Sequence, residues 1–237
     1  MKQVIAMHGW SGDSNTWQLW IDQFQKTKWI WQSAERGYGT IPPCSPDWQE
    51  SSDPASQRRV VIAHSLGLHL IKSQVLSKAT DIVLLGSFSR FMPTGIERRY
   101  LNAALQSMKK HIGTTKEKTM LNNFLRKACE PEKMCEYPPG PIDKGLSLEG
   151  RKQLKADLEL LIQTHELPTS LSPQARVLVV QGAEDAIVVP SSRNLLIEDL
   201  KKHLDTGPTH WLIPGASHLL LIPGLINRVE NWLNTSP

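Results

Sequence analysis

Apolar residues fall into two patterns along this chain. Short unbroken runs at residues 4–7, 29–32, 60–63, 82–85, 177–180 and 211–213 predict strands. Four of them are rich in Val, Ile and Leu without alternation, the signature of parallel strands buried on both faces. Between them, helical patterns near residues 15–24, 66–77, 191–204 and 225–233 predict crossover helices. Strands alternating with helices make βα units, so the expected architecture is α/β, a doubly wound and mostly parallel sheet. The rhythm breaks from about 89 to 167. There Leu101, Leu105, Met108 and Ile112 form one helical stripe. Thr114 and Glu117 have capping-box spacing ahead of a second helix that carries Met120, Leu121, Phe124 and Leu125 and stops at Pro131. Leu154, Leu158 and Leu161 mark a third helix before Pro168. This block predicts an inserted helical cap on a single domain spanning residues 1–237.

Composition narrows the classes. The chain has 237 residues, 40% of them hydrophobic and 21% charged, enough apolar matter for one large core and too much for a disordered chain. No apolar run approaches the roughly 18 residues of a membrane span, and the N-terminal run is too short for a signal-peptide core. The net charge of +4 comes without interleaved aromatics and basic clusters, which argues against a nucleic-acid partner. Trp10, Trp17, Trp20, Trp29 and Trp31 crowd the first 31 residues, a density that means core packing. Cys44, Cys129 and Cys135 cannot all pair within one chain and lack zinc-ligand spacing. They read as three free thiols of a cytoplasmic protein. No pattern marks an oligomer contact, and a monomer is the expectation.

The chemistry-bearing residues sit where predicted strands end. Ala63-His64-Ser65-Leu66-Gly67 follows the run 60–62 and opens a helical pattern, the strand–turn–helix context of a nucleophile elbow. Small residues two before and two after Ser65 permit the tight turn, and the Leu66 N–H then faces a developing oxyanion. A serine hydroxyl needs an adjacent base. His218, in the loop after residues 211–213, supplies one, and Asp185, in the loop after residues 177–180, would hold its tautomer. A second oxyanion donor is expected from the turn after the first strand, where the Trp10 N–H fits and the indole would wall the pocket. Glu184 is the rival acid, but the later residue of such a loop turns inward. His8, His64, His69, His111, His165, His203 and His210 read as structural or surface histidines, with His8 and His64 near the site without taking the proton.

Together these residues resemble the α/β-hydrolase superfamily, and within it the pimeloyl-[acyl-carrier protein] methyl ester esterases of biotin synthesis. The finer likeness rests on His8-Gly9-Trp10 with Trp17, the elbow at Ser65, and Gly86-Ser87-Phe88-Ser89. It extends to Gly150 through Leu154, Asp157, Leu158 and Leu161, and to Gln181-Gly182 through Val188-Val189-Pro190. The resemblance implies hydrolysis of a methyl ester through an acyl-enzyme on Ser65, with no metal or organic cofactor. It implies that Phe124 lines an acyl channel, with Trp10, Phe88 and Phe91 as further wall residues. It also implies an acyl carrier protein as partner. Such carriers are acidic, and residues 90–133 hold ten Lys and Arg against four Glu and no Asp, a local charge of +6. Arg98, Arg99, Lys109, Lys110, Arg126 and Lys127 are the expected contacts, acting on encounter rate and orientation. Two departures stand out: Ala63 replaces a glycine at the elbow, and the loop Glu35-Arg36-Gly37-Tyr38-Gly39 carries Glu where many relatives have Asp. Other readings of the same residues are a general short-chain carboxylesterase, a triad-dependent lyase, and a binder without activity.

Overall fold

In the computed structural model, residues 1–50, 57–132 and 138–235 are described. Their strands are β1 (Lys2–Met7), β2 (Ile30–Ala34), β3 (Arg58–His64), β4 (Asp81–Leu85), β5 (Arg176–Gly182) and β6 (Thr209–Ile213). All pairings are parallel, in the order β2-β1-β3-β4-β5-β6. This is a doubly wound parallel α/β sheet, as the alternation of strand and helix predicts. Alternate residues of each central strand enter two separate cores. Val4, Ala6, Val60, Ile62, Val83 and Val180 pack with Trp17, Trp20, Phe24 and Trp29 on one face. Ile5, Val61, Ala63, Ile82, Leu84 and Val179 pack with Leu76, Leu196 and Leu200 on the other. Both sets are buried, so neither face could tolerate polar alternation. Most of the tryptophan cluster is therefore core packing, as its density predicts.

The order in which strands are added reverses between β1 and β3, because β2 lies on the far side of β1. Ligands of open α/β sheets bind in the crevice at such a switch point, beyond the carboxyl ends of the strands. Helices α1 (Gln18–Lys26), α2 (Ser73–Ser77), α7 (Pro190–His203) and α8 (Leu225–Asn234) flank the sheet. Between β4 and β5 the chain carries α3 (Gly95–His111), α4 (Glu117–Cys129), α5 (Pro141–Lys144) and α6 (Leu148–Gln163). A third core joins these helices to the sheet ends: Trp10, Tyr38, Leu66 and Phe88 below, Leu105, Met120, Leu121, Leu154 and Leu158 above.

Several local expectations change. The helix expected over 66–77 is a 3-10 turn, Ser65–His69, followed by the short α2, since Lys72 is extended at ψ 137°. Ser65, Leu66, Gly67 and Leu68 are all buried, and packing on every side overrides helical propensity. The stretch near 15–24 likewise splits into a 3-10 turn, Ser14–Trp17, and α1. The capping box at Thr114 does not form. Glu117 is the first residue of α4 rather than its third; it accepts the Gly113 N–H at 2.6 Å and pairs with Arg151 of α6 at 2.7 and 2.8 Å. Cys129 is disulfide-bonded, which corrects the expectation of three free thiols and removes that argument for a reducing compartment. Cys44 is a free thiol, and Cys135 lies outside the described residues. No helix among the described residues is long and apolar enough to cross a membrane.

At the opposite end of the sheet from the switch-point crevice, buried Asp81 receives Arg58 at 2.9 and 3.0 Å, Arg176 at 2.8 Å and the Thr80 hydroxyl at 2.8 Å. Burial would raise its carboxyl, but these donors and the two guanidinium charges hold it below the usual carboxylate range. Asp81→Asn leaves two half-buried guanidinium groups short of a counter-charge and should lower unfolding free energy by roughly 3 kcal/mol in urea titration. Because the folded value is depressed, the wild-type advantage is present above about pH 3.9 and lost as pH falls through the folded value. A difference between the two proteins that stays constant from pH 7 to pH 2.5 would contradict this assignment.

Candidate active site

Ser65 has φ +54°, a left-handed conformation that non-glycine residues adopt at a cost of about 1–3 kcal/mol. The turn is imposed by the close approach of β3 to β1. A Cβ added to Gly67 would lie 2.5 Å from the Met7 carbonyl oxygen, and one added to Gly9 would lie 3.0 Å from the Ser65 Cβ. The Ser87 hydroxyl donates to the Ser65 carbonyl at 2.8 Å and fixes the turn from β4's side.

His218 and Asp185 come from the loops after β6 and β5. His218 Nδ1–H donates to Asp185 Oδ2 at 2.8 Å, a direction set by the carboxylate, which only accepts. Both residues are buried. The other Asp185 oxygen accepts the N–H groups of Ile187 and Val188 at 2.8 and 2.9 Å. Burial pushes the Asp185 carboxyl up, but the His218 charge and hydrogen bond, with those two amides, bring it below its ordinary value. Its tautomer so fixed, His218 directs Nε2 away from the carboxylate. Ser65 and His218 line one small cavity of about 30 Å³ with Gly9, Trp10, His64 and, from the cap, Phe124 and Ile142. No Ser65–His218 hydrogen bond forms among the described residues; such contacts tighten when a substrate carbonyl is bound. Glu184 is exposed and lies outside the cavity.

Trp10 lines this cavity and Leu66 follows Ser65 in the elbow turn. The Trp10 N–H has no acceptor among the described residues. The Leu66 N–H lies in the first turn of the 3-10 helix, where no intrahelical acceptor exists. The Trp10 indole stands edge-on to Phe124, with ring centres 5.0 Å apart, and its Nε1–H donates to the Leu154 carbonyl at 2.9 Å.

The other histidines take structural roles. His64 donates through Nε2 to the His218 carbonyl at 3.1 Å; desolvation, and then the charge that His218 can carry, push it down to about 3. His69 Nε2 donates to the Phe88 carbonyl and His203 Nε2 to the Leu171 carbonyl, while His165 is exposed. His210 meets Gln181, and His111 lines a separate cap cavity. That cavity, of about 540 Å³ between α3 and α4, is lined mainly by apolar residues including Phe91, Leu105, Met108 and Met120, with Lys116 and Lys127 among them. Phe124 borders both cavities and so forms the partition. Phe88, expected as a wall residue, borders neither: it is wholly buried, stacked on His69 and packed on Phe91. Arg98, Arg99, Lys110, Arg126 and Lys127 are exposed on α3 and α4, whereas Lys109 is paired with Glu159 at 2.5 Å. Among the described residues no cluster of His, Cys, Asp and Glu could hold a metal ion.

Sequence reasoning missed the network beside the site. Buried His8 donates through Nδ1 to the Gly9 carbonyl at 2.8 Å, and its Nε2 lies 3.3 Å from Glu35. Asp157 on α6 receives Arg36 and Tyr38 across more than a hundred residues. Glu35, Arg36, Tyr38 and Asp157 were visible only as loop and cap-helix motifs, and no spacing signals their pairing.

The His64 environment is directly testable. In proton NMR its ring resonances should keep neutral-imidazole shifts from pH 8 down to pH 5; a titration midpoint above pH 5 would contradict the desolvated geometry.

No protein-family model matches the sequence, and a search of curated proteins finds no match. Solved structures do match. An esterase from Exiguobacterium antarcticum is 14% identical with a TM-score of 0.61, over 98% of this chain and 89% of that one. The enol-lactonase from Burkholderia xenovorans is 12% identical with a TM-score of 0.63, over 98% and 88%. MenH from S. aureus is 13% identical with a TM-score of 0.59, over 98% and 93%. At these identities the likeness is one of fold, and it covers nearly the whole of each chain: the protein has the α/β-hydrolase fold.

Proposed function

We propose that this protein is a serine carboxylesterase in which Ser65 is the nucleophile, His218 the general base and acid, and Asp185 its orienting carboxylate. The observation that carries this reading is one cavity holding a left-handed serine and a histidine bonded at 2.8 Å to a buried carboxylate. Ser65 Oγ attacks the ester carbonyl carbon while His218 Nε2 takes its proton. The Asp185 carboxylate stabilises the resulting imidazolium, and the N–H groups of Trp10 and Leu66 receive the oxyanion. Collapse of the tetrahedral intermediate breaks the bond to the alcohol, which leaves with the proton from His218. Water, deprotonated by His218, then cleaves the acyl-enzyme to the free acid and restores Ser65. No step calls for a cofactor.

The substrate proposed is the methyl ester of pimeloyl-acyl carrier protein, giving pimeloyl-acyl carrier protein and methanol. Three features support it: the motif resemblance, the cap cavity beyond Phe124 with room for an acyl chain, and exposed Arg98, Arg99, Lys110, Arg126 and Lys127 facing an acidic carrier. Lys109, neutralised by Glu159, contributes least to that docking. The enol-lactonase and the esterase named above act on ester bonds, which favours a hydrolase over a lyase on this scaffold.

Wild-type protein and Ser65→Ala should be incubated with the methyl ester of pimeloyl-acyl carrier protein, following release of the carboxylate. Cleavage by the wild type that falls at least about a thousandfold in the variant is expected. Ser65-dependent turnover of p-nitrophenyl butyrate without cleavage of the carrier ester would leave a general short-chain esterase. Phe124→Ala should join the two cavities and shift preference toward longer p-nitrophenyl esters; an unchanged chain-length profile would exclude the cap cavity as acyl site.

A further inference from the structure

The residue whose N–H is assigned to the oxyanion is fastened to the cap by its own side chain. Trp10 Nε1–H donates to the Leu154 carbonyl of α6 at 2.9 Å, in a buried contact. One turn further along α6, Asp157 is 1% exposed and accepts four groups: Arg36 Nε at 2.8 Å, Arg36 Nη2 at 2.5 Å, Tyr38 Oη at 2.6 Å and Gln153 Nε2 at 2.8 Å. The helix also touches the loop after β2 through its backbone: a Cβ on Gly150 would lie 1.8 Å from the Tyr38 carbonyl oxygen, and the Ser147 N–H donates to that oxygen at 3.2 Å. On its other side the same loop grips the oxyanion turn. Glu35 accepts the N–H groups of Ser14 and Gly37 at 2.7 and 2.8 Å and lies 3.3 Å from His8, which holds the Gly9 carbonyl. Cap helix, loop and oxyanion turn thus form one closed hydrogen-bonded ring.

We infer that α6 is a working part of the oxyanion hole: Asp157 is a positioning residue that seats α6 on Arg36 and Tyr38, and the seated helix sets the Trp10 N–H through the Trp10–Leu154 bond. The inference rests on the serine esterase reading above. The oxyanion donor is then competent only while the cap is docked, whatever the size of the acyl group. The Asp157 carboxylate gathers four donated bonds from three residues, so losing it removes several ties of the helix at once rather than one side-chain contact. A misplacement of about 1 Å at such a donor costs up to a hundredfold in rate.

The test uses p-nitrophenyl butyrate, whose short acyl group has no need of the cap cavity, with Trp10→Phe, Asp157→Asn and the double variant. Active sites are titrated with diethyl p-nitrophenyl phosphate, so kcat refers only to folded, Ser65-reactive protein. Each single variant should lose about tenfold or more in kcat per titrated site with KM within about twofold. Affinity for a trifluoromethyl ketone, whose hemiketal on Ser65 carries the oxyanion, should fall in parallel. The double variant should lose less than the product of the singles, since both act through one helix. Trp10→Phe keeps the ring packing and removes one donor, so it carries the test if Asp157→Asn fails to fold. Singles with kcat per site and ketone affinity within about twofold of wild type would overturn the inference, as would fully multiplicative effects in the double variant. Turnover that survives Ser65→Ala would overturn the esterase reading along with it, whereas Ser65-dependent turnover with unaffected cap variants overturns the positioning role alone.

Discussion

The candidate site depends on how closely β3 and β1 approach at their carboxyl ends. Gly67 lies against the Met7 carbonyl so tightly that a methyl group would sit 2.5 Å from it, and one on Gly9 would sit 3.0 Å from the Ser65 Cβ. With no side chains in that gap, the chain leaving β3 turns through a left-handed residue, and Ser65 takes that position. The strain is held by surroundings that leave no other path: two buried strands in register, Met7 opposite Ala63, and a hydroxyl from Ser87 on the Ser65 carbonyl. A wider gap would relax the turn and lower the serine into the sheet.

Around that elbow the parallel sheet does the assembling. Every strand runs the same way, so the loops after β1, β3, β5 and β6 open at one end. Trp10, Ser65, Asp185 and His218 come from four distant stretches of chain yet share one rim, and Asp185 and His218 are bonded to each other there. Asp185 is held by two amides of its own loop, so its free oxygen points at His218 before any substrate arrives. Preorganisation of this kind gives electrostatic stabilisation without reorganisation during reaction.

The cap is more than a cover. Its apolar underside completes a third core with Trp10, Tyr38 and Leu66, and the deeply buried Asp157 carboxylate binds the loop that also carries Glu35. Polar networks buried this completely are costly when incomplete and specify a single arrangement when every member is satisfied. The insertion is accordingly joined to the sheet end through charged, directional contacts as well as hydrophobic ones.

The sequence by itself determined the strands, the parallel architecture, the helical stretch between β4 and β5 and the identities of Ser65, Asp185 and His218 as candidates. Each of those signals is local: a run of β-branched residues, a small-x-Ser-x-Gly turn, an acid or histidine just past a strand. Tertiary structure decided what local pattern does not encode. Leu66 to Ser77 could not remain one helix once residues 65–68 were buried on every side. Thr114 and Glu117 had capping-box spacing, yet Arg151 from another helix captured the glutamate. Phe88 and Phe124 look alike as cap-side aromatics; only packing sends one behind His69 and leaves the other between two cavities. Asp157 and Arg36 are separated by more than a hundred residues, and ion pairs at that range have no period to read. What repeats along the chain is legible in it, whereas contacts between distant segments exist only after the fold has chosen which faces meet.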